Sequence, residues 1–239
     1  MLSALGGSLS KTAHIITAPA SDSTFLVSST RVPTDYHDKD AAAVSLAASY
    51  LQAVEGPFWR GVRGTGLAYG ANVYKSIETG QLSFDIYRSS DGVKAFEVAG
   101  KIVRDLSDGT TKIDKTLFAG AVSTLVNTIA SMESDYYSAA AAKYLDNVLK
   151  KRGPDFNNRF IEALSRVTEE DVISVLKRIY LNLFESDKSA VFICCHPSSV
   201  ADLKTFFIKT GYEVHVEEVS QPADGSDEGD NEDEDEEGY

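Results

Sequence analysis

Hydrophobic and polar positions along the chain fall into blocks of two periods, and the alternation between them predicts the elements. Thr24 to Thr30 (TFLVSST) has the β-branched and aromatic content of a strand. From Asp38 to Val54, Ala41, Ala42, Ala43, Val44, Ala47, Ala48, Leu51 and Val54 recur at helical spacing, a face small enough to approach a sheet closely. A short second helix opens at Gly56–Pro57, where proline suits the first helical position, with Phe58, Trp59 and Val62 as anchors. Gly64, Gly66 and Gly70 lead into an alternating stretch over 67–76. After a turn at Glu78–Thr79–Gly80, Gln81–Arg88 alternates again, with Leu82, Phe84 and Ile86 on one face. The pair predicts a hairpin.

Helical spacing resumes at Ser90 or Asp91 with Val93, Phe96, Gly100, Val103 and Leu106, and ends at Asp108–Gly109. Further helices are predicted over 115–132 and 135–151. Thr168 and Asp171 form a capping box ahead of Val172, Val175, Leu176, Ile179 and Leu183. Ala190–Cys195 is wholly apolar and reads as a central buried strand. A helix capped by Ser198 or Ser199 runs to Gly211, and Tyr212, Val214 and Val216 alternate with charged residues in a last, half-exposed strand. The class is α+β, an antiparallel-rich sheet packed on one face by a layer of helices. Residues 1–23, which mix glycines, serines and Pro19, are expected to be a loosely ordered lead-in. Residues 24–219 form the domain, and 220–239 an acidic, disordered tail.

Composition changes this picture in two places. The net charge of −13 is concentrated in the tail: ten Asp and Glu between Asp224 and Glu237 have no Lys or Arg among them, and setting them aside leaves only −3. A nearly balanced body with an anionic appendage argues against nucleic-acid binding. No run reaches the eighteen or so apolar residues of a membrane span. The two cysteines, Cys194 and Cys195, are adjacent and point to opposite faces in extended chain, so they form no disulfide framework and suit a reducing compartment. Met1 to Lys11 lacks the apolar core of a secretory signal and the first arginine is Arg31, so a cytoplasmic location is expected, with the mitochondrial matrix as the alternative.

Most familiar chemistries fail on spacing. His14, His37, His196 and His215 are not paired at i, i+4, so neither inverted nor ordinary zinc-helix motifs occur, and consecutive strand residues 194–196 cannot all face one metal. The cysteines lie in an apolar run that predicts inert, buried thiols. The glycines around residues 61–66 lead from a helix into a strand, the reverse of a phosphate loop. What remains is Arg63 and Tyr69, six residues apart across glycines that let another backbone come close. An arginine followed by a strand-borne tyrosine suits hydrogen bonding to a peptide carbonyl or a carboxylate; an ordinary turn is the other reading.

The segments EGPFWRGVRGTGLAYGA (55–71) and GQLSFDIYRSSD (80–91) resemble the C-terminal domain of pitrilysin/insulinase-type zinc metallopeptidases, most nearly the presequence-protease-like branch and its cytosolic fungal members. The similarity runs from about Gly6 to Val219, and RGTGLAYG is its most specific part. The resemblance implies one of four related α+β domains that together enclose a chamber. It also implies an arginine and a tyrosine that reach the substrate beside a zinc held elsewhere. Carried onto this sequence, Tyr69 contacts the scissile carbonyl oxygen, Arg63 holds the substrate backbone, and Gly66, Leu67 and Gly70 shape the approach. No metal is expected in this chain; zinc belongs to an N-terminal half bearing H-x-x-E-H. The implied partners are that half and an unstructured peptide. The domain alone is not expected to hydrolyse peptides, and it reads as a piece of a longer enzyme or a shortened relative. The alternative is a non-catalytic interaction module or inactive subunit whose acidic tail binds basic partners.

Overall fold

A computed structural model describes residues 10–218. Six strands, β1 (Thr12–Thr17), β2 (Thr24–Arg31), β3 (Ala68–Ser76), β4 (Gln81–Ser89), β5 (Ser189–Cys195) and β6 (Glu213–Glu218), form one sheet in the order β3-β4-β2-β5-β1-β6. The β3–β4, β4–β2 and β2–β5 pairs are antiparallel, whereas β1 lies parallel between β5 and β6. The helices are α1 (Ala41–Leu51), α2 (Gly92–Ser107), α3 (Lys115–Ser131), α4 (Tyr136–Tyr144), α5 (Phe156–Arg166), α6 (Glu169–Arg178) and α7 (Val200–Lys209), joined by short π and 3₁₀ turns. This is the α+β architecture expected, with the helices gathered over one face of the sheet.

The core forms where the alternating strands meet the helical layer. Leu26, Leu82, Phe84, Ile86, Val191 and Ile193 point inward and are buried. Against them α1 presents alanines and α2 brings Ala95, Phe96, Ala99 and Val103. Phe84, Phe96, Phe184 and Phe207 interlock, with Phe96 5.0 Å from Phe184, 5.5 Å from Phe207 and 6.4 Å from Phe84 between ring centroids. Gly100 makes room for this cluster, since a Cβ there would stand 3.0 Å from the Phe184 ring. Two buried hydroxyls anchor the layers: Ser28 Oγ donates to the Leu183 carbonyl, and Tyr180 Oη to the Val44 carbonyl, each at 2.5 Å. Burial of Tyr180 pushes its phenol well above the ordinary range.

Three features depart from the sequence expectation. The lead-in expected to be loosely ordered contains β1, whose Ala13 and Ile15 are fully buried; its hydrophobic alternation is only three positions long. Helix α5 was not anticipated, because Gly153–Pro154 reads as a terminator. The apolar strand β5 is central but not covered on both sides: Phe192 is 46% exposed, because the sheet face away from the helices is open. The capping box holds as expected, with Thr168 Oγ1 accepting from the Asp171 N–H at 3.2 Å and the Asp171 carboxylate accepting from the Thr168 N–H at 2.9 Å. The acidic tail, expected to be disordered, lies outside the described residues.

Lys75 is the one core-facing cation of the hairpin. Its Nζ donates to the Ala41 carbonyl (3.1 Å) and the Ser45 hydroxyl (2.7 Å), and burial, with the Arg152 charge adding to it, lowers its pKa to about 8. The unfolded chain keeps this amine protonated to near its ordinary 10.5. Between those values unfolding takes up a proton, so the group's contribution makes stability rise with pH from about 8 to 10.5. Lys75→Met should abolish that rise. Denaturant midpoints of both proteins at pH 7.5, 8.5 and 9.5 test this, and parallel curves would refute it.

Candidate functional site

The end of the sheet where β3 begins and β4 finishes gathers the residues singled out by sequence. A π-helical turn, Trp59–Arg63, is anchored by fully buried Val62 and leaves Arg63 exposed at its last position. The chain then turns through Gly66, at φ +76°, into β3. Tyr69 is its second residue, 62% exposed. The Arg63 guanidinium carbon stands 4.8 Å from the Tyr69 ring centroid, a cation–π contact. Among the described residues neither the guanidinium nor the Tyr69 hydroxyl hydrogen-bonds another protein group, so both keep their donors for a ligand.

The loop bearing these side chains is fastened to the end of β4. The Leu67 carbonyl accepts from Ser89 Oγ at 2.7 Å and from the Ser90 N–H at 3.2 Å, and Ser90 Oγ donates to the Gly66 carbonyl at 3.3 Å. Leu67 itself packs its half-buried side chain against the core. Ser89 reaches inward because of a β-bulge: Thr24 pairs with Ser89 and Leu26 with Ile86, so Phe25 alone faces both Tyr87 and Arg88. Arg88 takes the left-handed conformation, at φ +53°. Gly70 opposes Tyr87 in the ladder, and a Cβ on it would lie 3.6 Å from Tyr87 Cβ, leaving ordinary clearance for the crowded aromatic side chains. Tyr87 packs edge-on against Tyr69 (6.2 Å) and Phe25 (5.4 Å), which makes a row of three rings ending at Arg63.

Arg63, Gly66, Leu67, Tyr69 and Gly70 thus lie together at this end of the sheet. Phe25, Tyr87 and Arg88 were missed. Alternation in QLSFDIYR places Tyr87 on the outward face, a signal that was available; the bulge that exposes Arg88 has no sequence signature. Among the described residues no three His, Cys, Asp or Glu side chains come close enough to hold a metal ion.

No family model matches the chain. It is similar to the peptidase M16 inactive domain from Pseudomonas fluorescens at a TM-score of 0.62 and 18% identity, over 78% of this chain and 43% of that one. The fold is that of an M16 inactive domain. Pitrilysin shares the M16 fold over 87% of this chain and 22% of its own, with a TM-score of 0.52 and 13% identity. In sequence the chain is 41% identical over 214 residues to an uncharacterized protein of Saccharomyces cerevisiae, a match covering 89% of this chain and 21% of that protein. The chain spans about a fifth of the length of the curated relatives it matches. The fold thus presents the arginine–tyrosine pair on a rigid sheet end.

Gly66 tests how far that rigidity depends on backbone. A Cβ at Gly66 would meet nothing within 4 Å, so substitution costs conformation alone. Gly66→Ala should lose about 1 kcal/mol, and Gly66→Asn less, because asparagine tolerates the left-handed region. Equal stability of all three proteins in urea would show that the turn does not need its positive φ.

Proposed function

We propose that this chain is the substrate-binding, non-zinc domain of a peptide-degrading zinc metallopeptidase of the presequence-protease-like branch, inactive alone and completing the site of a zinc-bearing half. The observation that carries this reading is the pairing of Arg63 with Tyr69 at 4.8 Å on a fastened, exposed loop with both polar ends unused. The M16 inactive-domain fold supports it, as does the much greater length of the relatives. The two free cysteines suit a reducing, cytoplasmic setting.

In this reading the Tyr69 hydroxyl donates to the carbonyl oxygen of the peptide bond under attack. Its hydrogen bond strengthens as negative charge develops on that oxygen, so it lowers the barrier more than it tightens binding. Arg63 donates to neighbouring backbone carbonyls and fixes the peptide's direction. Its stacking on the Tyr69 ring holds the tyrosine in place, so the two act as one device. The hydrolytic water and its base belong to the other half.

The test mixes the chain with the zinc-bearing half and follows cleavage of an unstructured fluorogenic peptide. Tyr69→Phe, which keeps the ring beneath Arg63, should lower kcat by roughly 10²–10³-fold with little change in KM. Arg63→Ala should mainly raise KM. Unchanged turnover in both variants would sink the assignment.

A second reading, a non-catalytic interaction module, draws on the open sheet face, where Val27, Phe192, Tyr74 and Tyr87 are exposed. It predicts a stable complex with a partner protein that forms equally well in both variants.

A further inference from the structure

We propose that Arg88 is a second guanidinium of this site and reads a carboxylate on the bound peptide, giving the domain a preference for peptides that carry an acidic side chain or a free C-terminus at the contact. This rests on the peptide-binding reading above and extends it to the class of peptide.

The placement comes from the bulge. Arg88 lies between the rungs Ala68–Ser89 and Gly70–Tyr87 of the β3–β4 ladder, across from Tyr69. Tyr69 is thus flanked by two arginines: Arg63 over its ring and Arg88 across the strand. The fold itself asks for no arginine at this point. Arg88 is exposed, makes no ion pair or hydrogen bond among the described residues, and occupies a φ of +53° that glycine or asparagine adopts more readily. A bulge re-aims a side chain out of the alternation of its strand, and here the side chain so released is a long cation beside a ligand-ready pair.

Local charge points the same way. The acidic residue that follows the strand, Asp91, is already committed: it caps α2 by accepting from the Lys94 N–H at 2.9 Å. Neither Arg63 nor Arg88 has an ion-pair partner among the described residues, so the sheet end carries two uncompensated guanidiniums. A guanidinium binds a carboxylate through two parallel N–H···O bonds, a geometry that ammonium groups do not offer. The row of rings from Phe25 through Tyr87 to Tyr69 provides an apolar wall beside it, suited to a peptide's neighbouring side chains.

The experiment is an NMR titration of the 15N-labelled full chain at low salt with three hexapeptides of one neutral sequence: amidated, with a free C-terminal carboxylate, and amidated with a central glutamate. At least one anionic peptide should bind roughly 5- to 10-fold tighter than the neutral one, and which of them does so identifies the carboxylate source. Arg88→Gly, which suits the backbone conformation and so keeps the fold, should bring the anionic peptides down to the neutral affinity while leaving the latter unchanged. Arg88→Lys should retain part of the preference. If wild type shows no preference, or Arg88→Gly retains it, the inference falls. The peptide-binding reading still stands in that case if Arg63→Ala weakens all three peptides. Absence of shifts at Tyr69 and Tyr87 with every peptide would overturn both.

Discussion

One extra residue in β4 governs the geometry of the sheet end. Without the bulge opposite Phe25, strict alternation would carry Arg88, rather than Ser89, to the inward side after Ile86. Ser89, only 1% exposed, takes that position and grips the Leu67 carbonyl. The grip fixes the loop that follows the π-helical turn, and the loop fixes Arg63 over Tyr69. The same slip leaves Tyr87 outward to complete the aromatic row. A single register shift thus converts an ordinary hairpin margin into a built surface, and the left-handed backbone of Arg88 is the local cost.

The sheet supports that surface because it is committed on one side only. Its inner face is locked by the interleaved rings of Phe84, Phe96, Phe184 and Phe207 and by the Ser28–Leu183 hydrogen bond. Its outer face carries a stack of His215, His14 and Phe192 across three strands, with ring separations of 5.0 and 5.3 Å. Strands held so firmly from behind can present side chains forward without moving, which is what a site built from a few donors requires.

How much of this was legible in the sequence depends on how local each cause is. The hairpin, α2 and α6 follow from periodicity, β5 from its apolar run, and the capping box from two residues three apart. Arg63 and Tyr69 stood out because glycines separate them. β1 was obscure because six residues, of which only Ala13 and Ile15 are buried apolar side chains, become a strand only when β5 and β6 flank them. The open outer face of β5 was also hidden, since an apolar run gives no indication of whether a second layer covers it. The bulge was illegible because it arises from competition between two neighbouring registers, and one chain segment shows only its own alternation.

The place of β1 has a consequence for the order in which the molecule assembles. β2, β4 and β3 pair antiparallel within the first ninety residues and can zip early. β1, although made before them, pairs only with partners about 180 and 200 residues downstream, the kind of distant parallel contact that forms slowly. During synthesis it must wait for roughly 100 further residues after β4, on the order of 5–20 s at usual elongation rates. Through that interval Ala13 and Ile15 remain uncovered and the hairpin sheet keeps β2 as an open edge. Chaperone dependence and aggregation during expression should therefore concentrate in the window before β5 and β6 emerge and enclose the oldest strand.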